Sequence, residues 1–243
     1  MSSEILVARC GTVPYEAALE LQKRLEAARQ GGEIADVLLL LEHTPVYTRG
    51  RRSTPEELPM GVQWYEAQGI EVLDTDRGGL VTYHGPGQLV AYPIVSLAPY
   101  GNDVHEYVRR LEQVMIGALG EYGVAAQFIQ GLTGVWTEGA PPPSGTARKI
   151  GSIGVHVSRG VTTHGLAVNV SNDLQPFEWI VPCGIEGVAM TSVTRERGSE
   201  QSVDAFADTV AERFGAVFKR IPRAADLSDL GLDLPLARLP ARP

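Results

Sequence analysis

Residues 77–93 read R-G-G-L-V-T-Y-H-G-P-G-Q-L-V-A-Y-P. The stretch sets four glycines, prolines and polar side chains between two apolar runs. Arg77, Gly78 and Gly79 form a turn signal, Leu80 to Tyr83 a short strand, His84 to Gln88 a second turn and Leu89 to Val95 the next strand. Glycines at both ends of so short a strand let a ligand or another backbone come close. Arg77 and His84 bring polar chemistry to the same place. A hairpin with an incidental histidine fits this stretch alone; a second segment shifts the balance.

Residues 149–170 read K-I-G-S-I-G-V-H-V-S-R-G-V-T-T-H-G-L-A-V-N-V. Two β-branched runs flank Ser158, Arg159 and Gly160, which predicts a hairpin. Further on, Val181-Pro182-Cys183-Gly184-Ile185 holds one of the two cysteines, the other being Cys10. Cys183, between proline and glycine, is placed on a turn. A cysteine on a constrained, exposed turn is a candidate nucleophile, whereas Cys10 fits an inert core filler.

Taken in order, these three segments resemble the lipoyl (octanoyl) transferase family, which is similar in fold to the lipoate and biotin protein ligases. The resemblance rests on R-G-G, T-Y-H, G-Q and Y-P in the first segment, K-I-x-S-I-G and H-G-L-A-x-N in the second, and P-C-G in the third. It spans roughly residues 35 to 195. It implies an α/β (α+β) fold with a mixed sheet flanked by helices. It also implies transfer of an octanoyl group from acyl carrier protein to a lysine of lipoyl domains, in 2-oxoacid dehydrogenase complexes and the glycine cleavage H protein. No cofactor or metal is implied. Carried over position by position, the resemblance makes Cys183 the nucleophile and Lys149 its acid–base partner. It assigns the acyl pocket to Arg77, Gly78, Gly79, Leu80, Val81, Thr82, Tyr83 and His84, to Ser152, Ile153 and Gly154, and to Gly165, Leu166 and Ala167. His164 is an even choice between site and scaffold, and Asn169 is expected to hydrogen-bond in the core. Two departures stand out. The proline-rich loop before Lys149 is longer than the family pattern, and His156 stands where a basic residue is expected.

Two other readings stay open. An ATP-dependent lipoate or biotin ligase would share the scaffold, but it uses no cysteine nucleophile, so P-C-G counts against it. A non-catalytic acyl-binding module would bind acyl groups without Cys183.

Composition agrees with this class without pointing to it. The 243 residues are 44% hydrophobic and 21% charged, with a formal net charge of −8. That balance fits a globular core and gives no general basic surface for nucleic acid. Two distant cysteines make no disulfide framework, so a reducing cytoplasm is the expected home. The N-terminus lacks a signal-peptide pattern, and the longest apolar run, Val37 to Leu41, is too short to span a membrane. There is no P-loop, no zinc-ligand spacing and no G-x-S-x-G elbow.

Along the chain, Pro14 to Gln30 reads as a helix stopped by Gly31 and Gly32. Val37 to Leu41 and Ile70 to Leu73 read as strands, and Thr48 to Pro59 as a loop holding Arg49, Arg51 and Arg52. A helix capped by Asn102 or Asp103 is expected to run to about Tyr122. Strands follow at Val124 to Gln130 and Thr133 to Thr137, and Glu138 to Ala147 reads as a loop. The last helix is expected from Val203 to Phe218. Residues 1–221 are expected to form one catalytic domain, with 222–243 a loosely packed tail.

Overall fold

A computed structural model describes residues 3–180 and 188–230. Cys183 therefore lies outside the described residues.

The architecture follows from apolar runs that must be covered on two faces. Strands β1 (Glu4–Val13), β2 (Val37–His43), β6 (Gln88–Ile94), β7 (Ala126–Ile129), β8 (Leu132–Thr137), β9 (Lys149–Ser158), β10 (Val161–Asn169) and β11 (Ile221–Ala224) build one mixed sheet. Its order is β11-β1-β2-β6-β10-β9-β8-β7. In β2, Leu38 and Leu40 point to one face and Leu39 and Leu41 to the other. Both faces are buried, so the strand reads as an unbroken apolar run.

Helices α3 (Val104–Glu121) and α6 (Val203–Phe218) cover the first face. The side chain of Asp103 caps α3 through the backbone N–H groups of His105 and Glu106, and Ser202 caps α6 through that of Ala205. Each cap satisfies donors the helix itself leaves open. Helix α1 (Tyr15–Gly31) covers part of the second face and packs Leu21 and Leu25 against Leu39 and Leu41. It ends where Gly32 takes a left-handed conformation, φ 75°.

The rest of that face is roofed by a three-stranded sheet of β4 (Glu71–Asp74), β3 (Val46–Arg49) and β5 (Thr82–His84), in that order. Helices α2 (Val62–Ala67) and α4 (Gln175–Glu178) complete an aromatic cluster with it. Tyr47 and Tyr65 donate to the carbonyls of Pro176 (2.6 Å) and Trp179 (2.7 Å). A short helix, α5 (Val193–Arg197), follows downstream.

Residues 222–230 depart from the expectation of a loose tail. β11 pairs in parallel with β1, Ile221 opposite Glu4 and Ala224 opposite Val7, and Leu230 is buried in the cluster beneath α1. Pro222 fits because an edge strand does not need every N–H.

Candidate functional site

Between the two sheets lies a cavity of about 180 Å³. Three stretches of sequence supply most of its walls. The first gives Arg77, Gly79, Leu80, Val81, Thr82 and His84; β9 gives Lys149, Ser152, Ile153 and Gly154; β10 gives His164, Gly165, Leu166 and Ala167. Gly78 and Tyr83 are outside the lining. The period of β5 explains Tyr83: Thr82 and His84 face the cavity, while Tyr83 turns to Tyr47 and Phe177. Gly78 instead donates its N–H to the Val155 carbonyl at 2.9 Å, fastening the first segment to β9.

Lys149 is 3% exposed, and its side chain reaches the cavity with Nζ 5.3 Å from the Trp136 ring centre. Gly134 makes room for it. Its φ is +114°, and a Cβ there would lie 3.0 Å from Lys149 Cε. The Lys149 backbone is fixed as well. Its N–H donates to Ala189 and its carbonyl accepts from Thr191, both at 2.9 Å. The chain leaving the Cys183 segment is thus hydrogen-bonded directly to Lys149.

Arg77 acts as a clamp in addition to lining the cavity. Nε donates to Thr48 Oγ1 (3.2 Å), Nη2 to the Thr48 carbonyl (2.5 Å) and Nη1 to the Gly78 carbonyl (3.1 Å). The arginine loop lies along the same turn, with Arg51 N–H on the Arg77 carbonyl (3.0 Å) and Arg52 N–H on that of Gly79 (3.2 Å). Buried Glu57 accepts from Val81 N–H at 2.9 Å. Arg49 is drawn away to Asp74 at 2.9 Å, whereas Arg51 and Arg52 are exposed and Arg52 stands at the mouth of the cavity.

A buried relay joins the first segment to β10 and to the chain that follows the Cys183 segment. His84 Nδ1–H donates to Gln88 Oε1 (2.6 Å), Gln88 Nε2 to Asn169 Oδ1 (2.9 Å) and Asn169 Nδ2 to the Thr191 carbonyl (3.0 Å). Asn169 is the hydrogen-bonding core residue its position suggests. His164 takes φ +56° within β10, a costly conformation for a side-chain-bearing residue. Its N–H donates to Gln22 Oε1 (2.6 Å) and its Nε2–H to Asp76 Oδ1 (2.7 Å). That bond from His164 holds the Asp76 carboxyl down at about 2.

Sequence reasoning missed the inner end of the cavity, formed by Tyr15, Val90 and Tyr92, and the Trp136 wall with the turn at Gly131, Leu132 and Thr133. Tyr92 lies in the quoted Y-P pair, which was the available signal. Tyr15 looks like an ordinary first-turn residue of a helix and carries none.

The buried imidazoles make a test of their own. Desolvation pushes His43 down to about 4 and moves His84 and His164 in the same direction. The unfolded chain binds protons at these histidines as pH falls below about 6.5, while the native state resists. Their contribution is therefore full above pH ~6.5 and is lost as pH falls towards ~4; for His43 it is on the order of 3 kcal/mol. Thermal unfolding followed from pH 7 to 4 should show Tm falling across that window. A flat profile would mean that these rings titrate as in water.

The fold is that of lipoate-attaching enzymes. A bipartite lipoate protein ligase from Thermoplasma acidophilum superposes with a TM-score of 0.68 at 16% identity, covering 93% of this chain and 87% of that one. A lipoate-protein ligase A bound with ATP gives 0.64 at 16% identity, covering 93% and 89%. The sequence narrows this to a family: residues 14–215 match the lipoyl protein ligase A/B catalytic domain, and the chain belongs to that family. Among its relatives, the octanoyltransferase of Chloroflexus aggregans is 46% identical over 219 residues, covering 90% of this chain and 96% of its own. The octanoyltransferase of Solibacter usitatus is 49% identical over 211 residues, covering 87% and 90%. That of Mycolicibacterium smegmatis is 46% identical over 210 residues, covering 86% and 87%.

Proposed function

We propose that this protein is an octanoyltransferase: it moves an octanoyl group from acyl carrier protein to a lysine of lipoyl domains, through a thioester on Cys183. The acceptors in this reading are the lipoyl domains of 2-oxoacid dehydrogenase complexes and the glycine cleavage H protein. The observation that carries it is a mostly apolar cavity, in a chain so similar to octanoyltransferases, with a buried lysine whose backbone is bonded to Ala189 and Thr191, downstream of P-C-G in sequence.

The chemistry is that of a thiol beside an amine. The Cys183 thiolate attacks the donor's thioester carbonyl and forms a new thioester, and the carrier's thiolate leaves. Thioester exchange is nearly balanced, so no ATP is consumed. The acceptor's lysine amine then attacks, an amide forms and Cys183 is released. This is covalent catalysis in ping-pong order. A free thiol titrates near ~8.5 and is mostly protonated at neutral pH. An ammonium at ~4 Å is worth up to ~4 kcal/mol at an effective dielectric of ~20, enough to favour the thiolate. Lys149 in that role gives a proton to the departing thiolate and takes one from the attacking amine.

Intact-mass analysis after incubation with octanoyl acyl carrier protein should show one added octanoyl group, mapped to Cys183 and absent in Cys183→Ala. An adduct retained in that variant, or found on Cys10, would overturn the reading. Formation of product from free octanoate and ATP would favour the ligase alternative instead.

A further inference from the structure

The backbone of Lys149 meets the chain downstream of Cys183 at one narrow joint. Lys149 and Met190 form a single parallel bridge outside any longer strand pairing. Its two hydrogen bonds run from Lys149 N–H to the Ala189 carbonyl and from Thr191 N–H to the Lys149 carbonyl. Two bonds of ordinary net strength leave such a bridge little resistance to local opening.

A carboxylate closes the joint from the side. Glu196 stands on α5 and uses both of its oxygens. Oε2 accepts from Arg148 Nη2 at 2.7 Å, and Oε1 accepts from the Thr191 hydroxyl. Arg148 is the residue before Lys149, and Thr191 is the residue after Met190. One side chain therefore grips both sides of the joint. Each gripped residue is fixed again from elsewhere. Arg148 donates its N–H to Thr137 Oγ1 at 2.9 Å and accepts from the Thr137 N–H at 2.8 Å. The Thr191 carbonyl accepts from Asn169, the last member of the buried relay.

The mounting of α5 keeps Glu196 in place. Ser192 caps the helix, its Oγ accepting from the Arg195 N–H at 3.2 Å. Thr194 N–H donates to the Val170 carbonyl at 2.9 Å, just past the end of β10. Val193 is fully buried in the core that α3 and α6 cover. The two halves of the grip are unequal. Thr191 is fully buried, so its bond to the carboxylate is charge-assisted in surroundings of low dielectric. The Arg148 side chain is 40% exposed, and an ion pair that reaches water contributes little. The Thr191 half carries most of the restraint.

We infer that Glu196 is a positioning residue for acyl transfer: by holding Thr191 against Lys149, it fixes the chain downstream of Cys183 relative to the lysine. This rests on the reading of Cys183 and Lys149 as nucleophile and acid–base partner. Glu196 acts through the separation of thiol and amine, and a displacement of ~1 Å in such a pair can cost ~10²-fold in rate.

The test reads a set of variants in three ways. These are hydrogen exchange at the Lys149 and Thr191 amides, single-turnover acylation of Cys183 by octanoyl acyl carrier protein, and the pH midpoint for alkylation of Cys183 by iodoacetamide. Glu196→Ala should speed exchange at both amides and leave those of β2 unchanged. It should slow acylation by up to about 10²-fold. It should also raise the alkylation midpoint towards the ~8.5 of a free thiol, which loss of stability alone does not do. Glu196→Gln should recover most of the rate, because an amide can accept from Arg148 and donate to the Thr191 hydroxyl. Thr191→Val keeps the backbone bonds and loses the hydroxyl, so it should resemble Glu196→Ala, while Thr191→Ser should restore the rate. Arg148→Ala should cost less than Thr191→Val. Glu196→Ala combined with Thr191→Val should be no slower than the worse single variant, whereas independent effects would multiply. Should Glu196→Ala fail to fold, Thr191→Val set against Thr191→Ser makes the same comparison. An unchanged acylation rate and alkylation midpoint in the folded variants would overturn the role of Glu196 alone. A wild type that forms no octanoyl adduct on Cys183 would overturn the transferase reading, and this role with it.

Discussion

Lys149→Ala is expected to slow octanoyl transfer by about 10²–10⁴-fold, the range for loss of a positioned acid–base group. The strand around it should persist, because the bonds to Ala189 and Thr191 are made by backbone atoms. The side chain itself is buried against Trp136, so alanine also leaves a void. Lys149→Met separates the two effects: it keeps the apolar stem and lacks the amine, and it should be nearly as slow as alanine. Lys149→Arg should be slow too. Guanidinium keeps its proton at working pH, and the lysine stem runs so close to Gly134 that even a Cβ there would lie 3.0 Å from Cε, which suits a narrow stem rather than a planar fork. Single-turnover rates of Cys183 acylation, with circular dichroism as a fold check, decide the matter. Acylation near the wild-type rate in Lys149→Met would make Lys149 a bystander.

What the sequence reveals and what it hides follow from the range of the interactions. The hairpin of β9 and β10 is legible because Arg159 and Gly160, at φ 47° and 77°, are a local turn between β-branched runs. Helix α1 is legible from Pro14 and from Gly31 and Gly32 at its end. β1 carries Arg9, Gly11 and Thr12 and has an irregular burial pattern, with a register break against β2 between Arg9 and Thr12. Its pairing with β11 joins opposite ends of the chain, and β11 is exposed throughout, so no local alternation announces either strand. The cavity divides the same way. Its floor of Ser152, Gly154, Gly165 and Ala167 falls in contiguous motifs. Its inner wall draws Tyr15 from a helix and Tyr92 from a strand, and only the packing of α1 onto the sheet brings them together.

Reversing the charge of Arg51 and Arg52 together is expected to reduce use of the carrier-protein donor by about 10–10³-fold at low salt, the range over which electrostatic steering changes encounter rates. The protein carries a formal net charge of −8, and the change takes it to −12, since each Arg→Glu removes one positive charge and adds one negative. The proposed donor is itself acidic, so encounter depends on positive charge concentrated where the thioester must enter. Of the three arginines, Arg49 does not lie in the loop but ends β3, and it is engaged with Asp74. Arg51 and Arg52 are exposed, and their backbone N–H groups hold the loop against Arg77 and Gly79 beside the mouth. A charge in that place acts on approach and only weakly on the chemistry, because interactions between exposed groups fade beyond a Debye length of about 8 Å at physiological salt. Wild-type transfer from the carrier should therefore fall as salt rises, and the doubly reversed variant should lose that dependence. Arg51→Glu alone gives the cleaner contrast, since Arg52 also lines the cavity. It should weaken use of the carrier while leaving transfer from a small octanoyl thioester intact. Equal losses with both donors would show that the loop shapes the acyl cavity instead of receiving the donor.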